Sequence, residues 1–377
     1  MIMSIEQFDN RKLKIAQVAP LYESLPPKSG GIERMVTCLS DALVDLGHEV
    51  TLFAAGGSVT KAGLVPTYHV GLRLGRSEDP MAMHILQLQE VIERAHDFDL
   101  IHFHTDYLHF PISRLLNLNT VTTLHNRLDM PELKHIYSRF LDSPVISVSD
   151  AQRYPLPMAR WAGTVHYGLP ESLYSQGNGQ GDYVLFIGRI APEKGLHHAI
   201  KIAEKANMKI KIAARIDNAH LPYYQRKIKP LLKLPHVEFL GEVTMDIKKD
   251  LICNAKALLF PVEWPQPFGI VMVEALACGT PVIAFRNGAV PEIVTDGKTG
   301  YITTSLEEAV QALQQIDKID RNACRQEFES RFSATRMAQD YVTLYRQLIQ
   351  RNPATIKIAP ASGKVLREAP VLLRGFA

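Results

Sequence analysis

The stretch YVLFIGRIAPEKGLHHAIKIAEKA, residues 183–206, runs from an apolar β-rich segment through a turn into residues whose apolar positions recur at helical spacing. A near-continuous apolar strand feeding a helix is the repeating unit of a parallel sheet covered on both faces. The turn GRIAPEKG, Gly188–Gly195, raises its own question, because it holds one arginine, one lysine and two bracketing glycines. Glycines let backbone approach a ligand closely, and Arg189 and Lys194 would flank whatever sits at the positive end of the following helix. That describes an anion site, to be weighed against a solvated turn whose cations face water.

The same alternation extends in both directions. Before residue 175, the runs LKIAQVAP, EVTLFAA, LIHFHT, TVTTLHN, PVISVS and GTVHYG read as strands, with a helix through GIERMVTCLSDALVDLGH between the first two and Gly47 as its stop. SQGNGQGD, 175–182, is the most linker-like composition in the chain. After it DYVLFIGRI, KIKIAARI, HVEFLGEV, KALLFPV and TPVIAF read as a second set of strands, and FSATRMAQDYVTLYRQLIQR as a closing amphipathic helix. The fold class is therefore α/β: two doubly wound, Rossmann-like parallel-sheet domains, with ligands at strand C-terminal ends facing a central cleft. The division is 1–170 for the N-terminal domain and 171–345 for the C-terminal domain. Residues 346–377 complete the last helix and add a tail that shows no convincing period from Asn352 onward and is expected to be disordered.

Composition removes several classes. Forty-two Lys plus Arg against 39 Asp plus Glu give a net charge of +3, with no global pull toward nucleic acid or anionic membrane. The basic segment YYQRKIKPLLKL, 223–234, is read as a solvated helix face rather than a peripheral membrane contact. Cys38, Cys253, Cys278 and Cys324 have no C-x-x-C spacing, which argues against a disulfide framework and a zinc site and for a reducing cytoplasm. The first residues lack the apolar core of a signal peptide, and no stretch approaches a membrane span. No G-x-G-x-x-G follows a strand, which speaks against a nicotinamide enzyme, and DGKTG, 296–300, lacks the first glycine of a P-loop. Asp97 and Asp99 precede the strand LIHFHT and so lie at its N-terminal end, the wrong edge for a ligand. His102, His104 and Asp106 share a strand face, a geometry commoner for a polar strand end lining a cleft than for a metal site.

The deciding segment is FPVEWPQPFGIVMVEALACGTPVIAFRNGAVPE, 260–292, which joins a strand, a Pro-rich turn, a helix starting near Phe268, a Gly279 stop and another strand. Gly269 at the helix start leaves backbone N–H groups open to a bound polar group. Glu274 lies about one and a half turns along an otherwise apolar helix, within reach of a ligand's hydroxyls. An acid there needs a partner, and the alternative is a buried pair with some arginine.

Together SGGIERM, TLHN, ISVSDAQR, GRIAPEKG and PQPFGIVMVEALACGTPVIA resemble the retaining, nucleotide-sugar-dependent glycosyltransferases of family 4, which have the two-domain GT-B fold; the similarity spans roughly residues 12–345. The resemblance implies that Arg189 and Lys194 bind the donor's diphosphate and that Glu274, second glutamate of the family's E-x7-E pattern, holds the ribose hydroxyls. Backbone amides around Phe268, Gly269 and Ile270 would take sugar or phosphate. His125 would lie against the donor sugar, the loop at Gly30 and Gly31 across the cleft, and Val243 near the base. The chain departs from the pattern at Gln266, where the first glutamate is expected, and at Tyr167, where many relatives have asparagine. Glu263 is out of register with the missing acid.

The expectation is a cytoplasmic, metal-independent retaining hexosyltransferase, with no cofactor and with a UDP-sugar, most readily UDP-glucose, as donor. GDP remains open as the nucleotide, and the acceptor is not named. Rival readings are a nucleotide-sugar-binding protein impaired by Gln266 and a GT-B nucleotide-sugar epimerase.

Overall fold

The structure, a computed structural model, describes residues 11–25 and 31–351. The first sheet contains β1 (Lys14–Val18), β2 (Glu49–Ala55), β3 (Gly63–Tyr68), β4 (Leu100–Phe103), β5 (Thr120–Thr123), β6 (Val145–Ser147) and β7 (Trp161–Thr164), in the order β3-β2-β1-β4-β5-β6-β7. The second contains β8 (Tyr183–Ile190), β9 (Lys209–Ile216), β10 (Val237–Gly241), β11 (Leu258–Phe260), β12 (Val282–Phe285) and β13 (Gly300–Thr303), in the order β10-β9-β8-β11-β12-β13. Every pairing is parallel. The two doubly wound domains expected from the alternation are therefore present.

The strand order explains where the motifs go. Each sheet reverses direction once, between β1 and β4 in the first and between β8 and β11 in the second. Neighbouring crossovers diverge there and leave a crevice at the strand C-terminal ends. Gly188–Ile190 are the last residues of β8 rather than part of a turn, so Arg189 is held in the strand and the turn after it is APEKG, 191–195. The turn after β11 is PVEWPQPFG, so the segment bearing Arg189 and Lys194 and the segment bearing Gly269 face one crevice. Asp99, by contrast, sits before β4, where its carboxylate accepts hydrogen bonds from Arg11 and from the Lys14 backbone N–H at 2.8 Å each.

Two strands were not read from the sequence, β3 and β13. Both are edge strands; β3 is half-buried or exposed throughout, and the four-residue β13 is buried only at Gly300 and Thr303, so neither carries a continuous apolar run. The helix Ala334–Arg351 follows the second sheet in the chain but lies across the first. Tyr345 Oη accepts from Gln17 of β1 at 3.1 Å, and Tyr341 Oη is 2.9 Å from Thr123 Oγ1 of β5. The boundary expected at residue 345 thus falls within a helix that packs on the N-terminal domain. The tail from Asn352 onward and Gly30 lie outside the described residues.

Candidate active-site cleft

Gly195 ends the cation-bearing turn with φ +68°, and a Cβ there would lie 1.9 Å from the Pro261 carbonyl oxygen, so only glycine lets the β8 turn meet the β11 turn. Gly188 is not under that constraint, since a Cβ there would make ordinary contact with Phe186. From this turn Lys194 Nζ donates to Gln266 Oε1 at 2.6 Å. Burial, with the Arg189 cation adding to it, lowers the Lys194 ammonium to about 8. Arg189 is 42% exposed and donates to Asp217 at 2.7 Å, with Glu193 at 3.4 Å. Both cations are therefore held by neutral or acidic neighbours that an anion could replace.

Gly269 has φ +98° and precedes the helix Ile270–Ala277. Among the described residues no side chain caps that helix, so its first N–H groups stay available to a ligand. Phe268 is buried, its ring 4.8 Å from Tyr167, and Ile270 is half-buried at the first helical position. Val243 is half-buried in the loop after β10. Gly31 begins the helix Gly31–Asp45, and among the described residues nothing lies within 4 Å of where a Cβ would be.

Glu274 is fully buried, and its partners come from three places. Arg34, on the helix Gly31–Asp45 of the other domain, donates to Oε1 at 2.5 Å. Tyr174 Oη donates to the same oxygen at 2.8 Å and accepts from Arg34 at 2.6 Å. Lys248 Nζ lies 2.7 Å from Oε1 and 2.6 Å from Oε2, the second approach being ionic rather than a directed hydrogen bond. Burial would raise this carboxyl, but Lys248 and Arg34 outweigh it and hold it near 2. The buried arginine pair that the sequence left as an alternative is thus the arrangement found. Arg34 stands within SGGIERM, where local pattern assigns it no role; Lys248 and Tyr174 carry no sequence signal.

His125 is buried, and both its ring nitrogens are engaged. Nε2 is 2.9 Å from His104 Nδ1, and Nδ1 is 2.6 Å from Tyr167 Oη. His104 Nε2 in turn meets Gln17 Oε1 at 2.7 Å, while Gln17 Nε2 donates to Tyr345. The amide oxygen can only accept, so His104 carries its proton on Nε2, His125 donates from Nε2, and Tyr167 donates to His125 Nδ1. Burial drives His125 down to about 3 and His104 well below its ordinary value, so both rings are neutral. His102 bonds Tyr345 and Thr123 through its two nitrogens, and the His102–His104 strand end is a hydrogen-bonded network.

Between the domains lies a small recess lined by Arg127, Asp129 and Gln152 on one side and Trp264, Gln266 and Gly288 on the other. The Arg127 guanidinium sits 5.3 Å from the Trp264 ring centre.

The comparisons with known proteins follow this division of the chain. Residues 29–160 match the family described as Glycosyltransferase Family 4, and residues 175–333 match Glycosyl transferases group 1. N-acetyl-alpha-D-glucosaminyl L-malate synthase of Bacillus anthracis is 31% identical over 135 residues, 33% of this chain and 35% of that protein. The chain spans about half or less of the length of the first curated relatives it matches. A glycosyltransferase involved in avilamycin A biosynthesis superposes with a TM-score of 0.70 at 24% identity, covering 90% of this chain and 98% of the other. Anabaena HepE in complex with UDP-glucose superposes with a TM-score of 0.66 at 19% identity, covering 90% and 99%. These two likenesses give the fold, which is GT-B. One family match falls on each sheet, and the chain belongs to the family 4 glycosyltransferases.

Proposed function

We propose that this chain is a retaining, metal-independent transferase that moves a hexosyl group from a nucleoside-diphosphate sugar to an acceptor bound on the N-terminal side of the cleft. The observation that carries this reading is the meeting of Lys194, Arg189 and the uncapped helix start at Gly269 beside one crevice. Breaking the anomeric bond leaves negative charge on the departing diphosphate, and two cations with a helix N-terminus stabilise that charge. Retention follows from same-face attack, the leaving phosphate taking the acceptor's proton. HepE, of the same fold, holds UDP-glucose, which supports a UDP-hexose as the first donor to test.

In this reading His125 serves as a neutral wall to the sugar, its orientation fixed by Tyr167 and His104. Glu274 holds ribose hydroxyls only if Arg34 or Lys248 yields part of its grip, so donor binding and loosening of the cross-domain contact are coupled. Among the described residues no helix is long and apolar enough to cross a membrane, and the four free cysteines support a cytoplasmic location.

The test is calorimetry and nucleotide release across UDP- and GDP-sugars, with and without EDTA. Saturable donor binding with slow nucleotide release that survives EDTA is expected. Loss of turnover with EDTA and its return with magnesium or manganese would reject the metal-free mechanism. A second reading has one observation in its favour, since Lys194 occupies the Gln266 amide where the family has a carboxylate. Donor binding without turnover on any acceptor or water would favour that binding-protein reading, and a change in sugar stereochemistry would point to an epimerase.

A further inference from the structure

Glu263, which the glycosyltransferase pattern leaves without a role, faces two adjacent histidines. His198 Nε2 is 3.0 Å from Glu263 Oε1, and His197 Nε2 is 3.7 Å from Oε2. Each of the three residues offers one ligand atom, and these atoms lie within 4.8 Å of one another. We propose that His197, His198 and Glu263 form a binding site for a late first-row divalent metal ion of the Zn2+ type.

The geometry suits such an ion. With metal–ligand bonds of about 2.0 to 2.1 Å, neighbouring ligands of a tetrahedral ion are ~3.4 Å apart, and the two histidine–carboxylate separations fall on either side of that value. The second ring nitrogen of His197 is 2.9 Å from Tyr223 Oη, an outer contact that fixes which nitrogen is presented to Glu263. The Glu263 backbone N–H donates to the Glu193 carbonyl at 3.0 Å, which anchors the residue, while its side chain is 43% exposed and leaves a coordination position open to solvent. His197 is only 6% exposed, so its ring is held in place by its surroundings.

The surroundings also select the ion class. The histidines open the helix Leu196–Lys205, whose N-terminus is electropositive, and Lys201 and Lys227 add to that field. A hard cation such as Mg2+ or Ca2+, held by charge and oxygen ligands, is disfavoured there. Two imidazoles suit zinc, nickel, cobalt or copper, whose bonds to nitrogen offset the unfavourable field.

The experiment is zinc titration of the full chain by calorimetry with metal analysis after dialysis, comparing the wild type with His198→Ala and Glu263→Gln. The expected result is one zinc per wild-type chain and at least about tenfold weaker binding in each variant. Zinc should raise the melting temperature of the wild type and leave that of the variants nearly unmoved. Melting without zinc verifies folding, and His198→Gln replaces His198→Ala if the latter does not fold. The four cysteines are untouched in both variants, so zinc held by thiols would persist. Equal stoichiometry and affinity in wild type and variants, or no uptake by the wild type, overturns the proposal. Neither readout depends on transfer activity.

Discussion

The Arg34 guanidinium lies 2.5 Å from Glu274 Oε1 and joins a helix of the first domain to the helix that opens at Gly269 in the second. The pair is buried and shares its carboxylate with Lys248, so two cations face one negative charge and either alone can balance it. Arg34→Met is expected to reduce stability by about 1.5 to 3 kcal/mol, the range for a hydrogen bond to a charged group, because Lys248 remains. Glu274→Gln leaves two buried cations facing each other and should cost more, about 3 to 5 kcal/mol. Urea unfolding of both variants checks this order; a wild-type midpoint for Arg34→Met would show that the cross-domain contact contributes nothing.

The same carboxylate predicts a pH dependence. Glu274 is held near 2 in the folded protein against an ordinary value of 4.5, so its ionised form binds fewer protons folded than unfolded. Its stabilisation is fully present above 4.5 and fades as pH falls toward 2. The difference in unfolding free energy between wild type and Glu274→Gln should therefore shrink as pH drops from about 5 to about 3. A difference that stays constant over that interval would contradict the assigned ionisation.

Burial lowers Lys194 to about 8, so at higher pH its neutral amine must take up a proton to meet a diphosphate as an ammonium. Donor affinity should fall with pH above that value, approaching about tenfold per unit. Lys194→Met should abolish this slope and weaken binding about ten- to a hundredfold, as loss of a charge-assisted hydrogen bond implies. Arg189→Ala should cost a similar factor and move the inflection upward, since the Arg189 cation is one of the causes that lower Lys194. Calorimetry from about pH 7 to about pH 9.5 reads both effects. A flat profile in the wild type would remove Lys194 from the diphosphate site.

Gln266 tests whether the site turns over. Its Oε1 accepts from Lys194 at 2.6 Å, so Gln266→Glu would set a carboxylate against that ammonium. The new charge should raise the Lys194 value and change the transfer rate or donor preference by about tenfold, corresponding to ~1.4 kcal/mol. Single-turnover nucleotide release checks it. A natural protein that never turns over, beside a Gln266→Glu variant that does, would establish the binding-protein reading.

Tyr167 supplies the hydroxyl that holds His125 Nδ1 at 2.6 Å. Tyr167→Phe removes that donor, leaves a buried acceptor unsatisfied and should reduce stability by about 1 to 3 kcal/mol. Nitrogen NMR should find His125 protonated at Nε2 in the wild type and a changed Nδ1 environment in the variant. A wild-type tautomer protonated at Nδ1 would reverse the network inferred from Gln17.

Local pattern was enough to reveal the two parallel sheets, the stop at Gly47 and the strand ends bearing Arg189, Lys194 and Gly269. Apolar periodicity and turn chemistry act over a few residues, and chain order through a doubly wound sheet places successive turns at the same edge. The edge strands β3 and β13 escaped because a half-buried strand lacks that apolar run. Tertiary structure alone decided that Arg34 meets Glu274 across 240 residues, that both His125 nitrogens turn away from solvent, and that the helix Ala334–Arg351 returns to the first sheet. Periodicity states which face of an element is buried. It does not state which distant element covers that face, and a buried charge takes whatever partner that packing supplies.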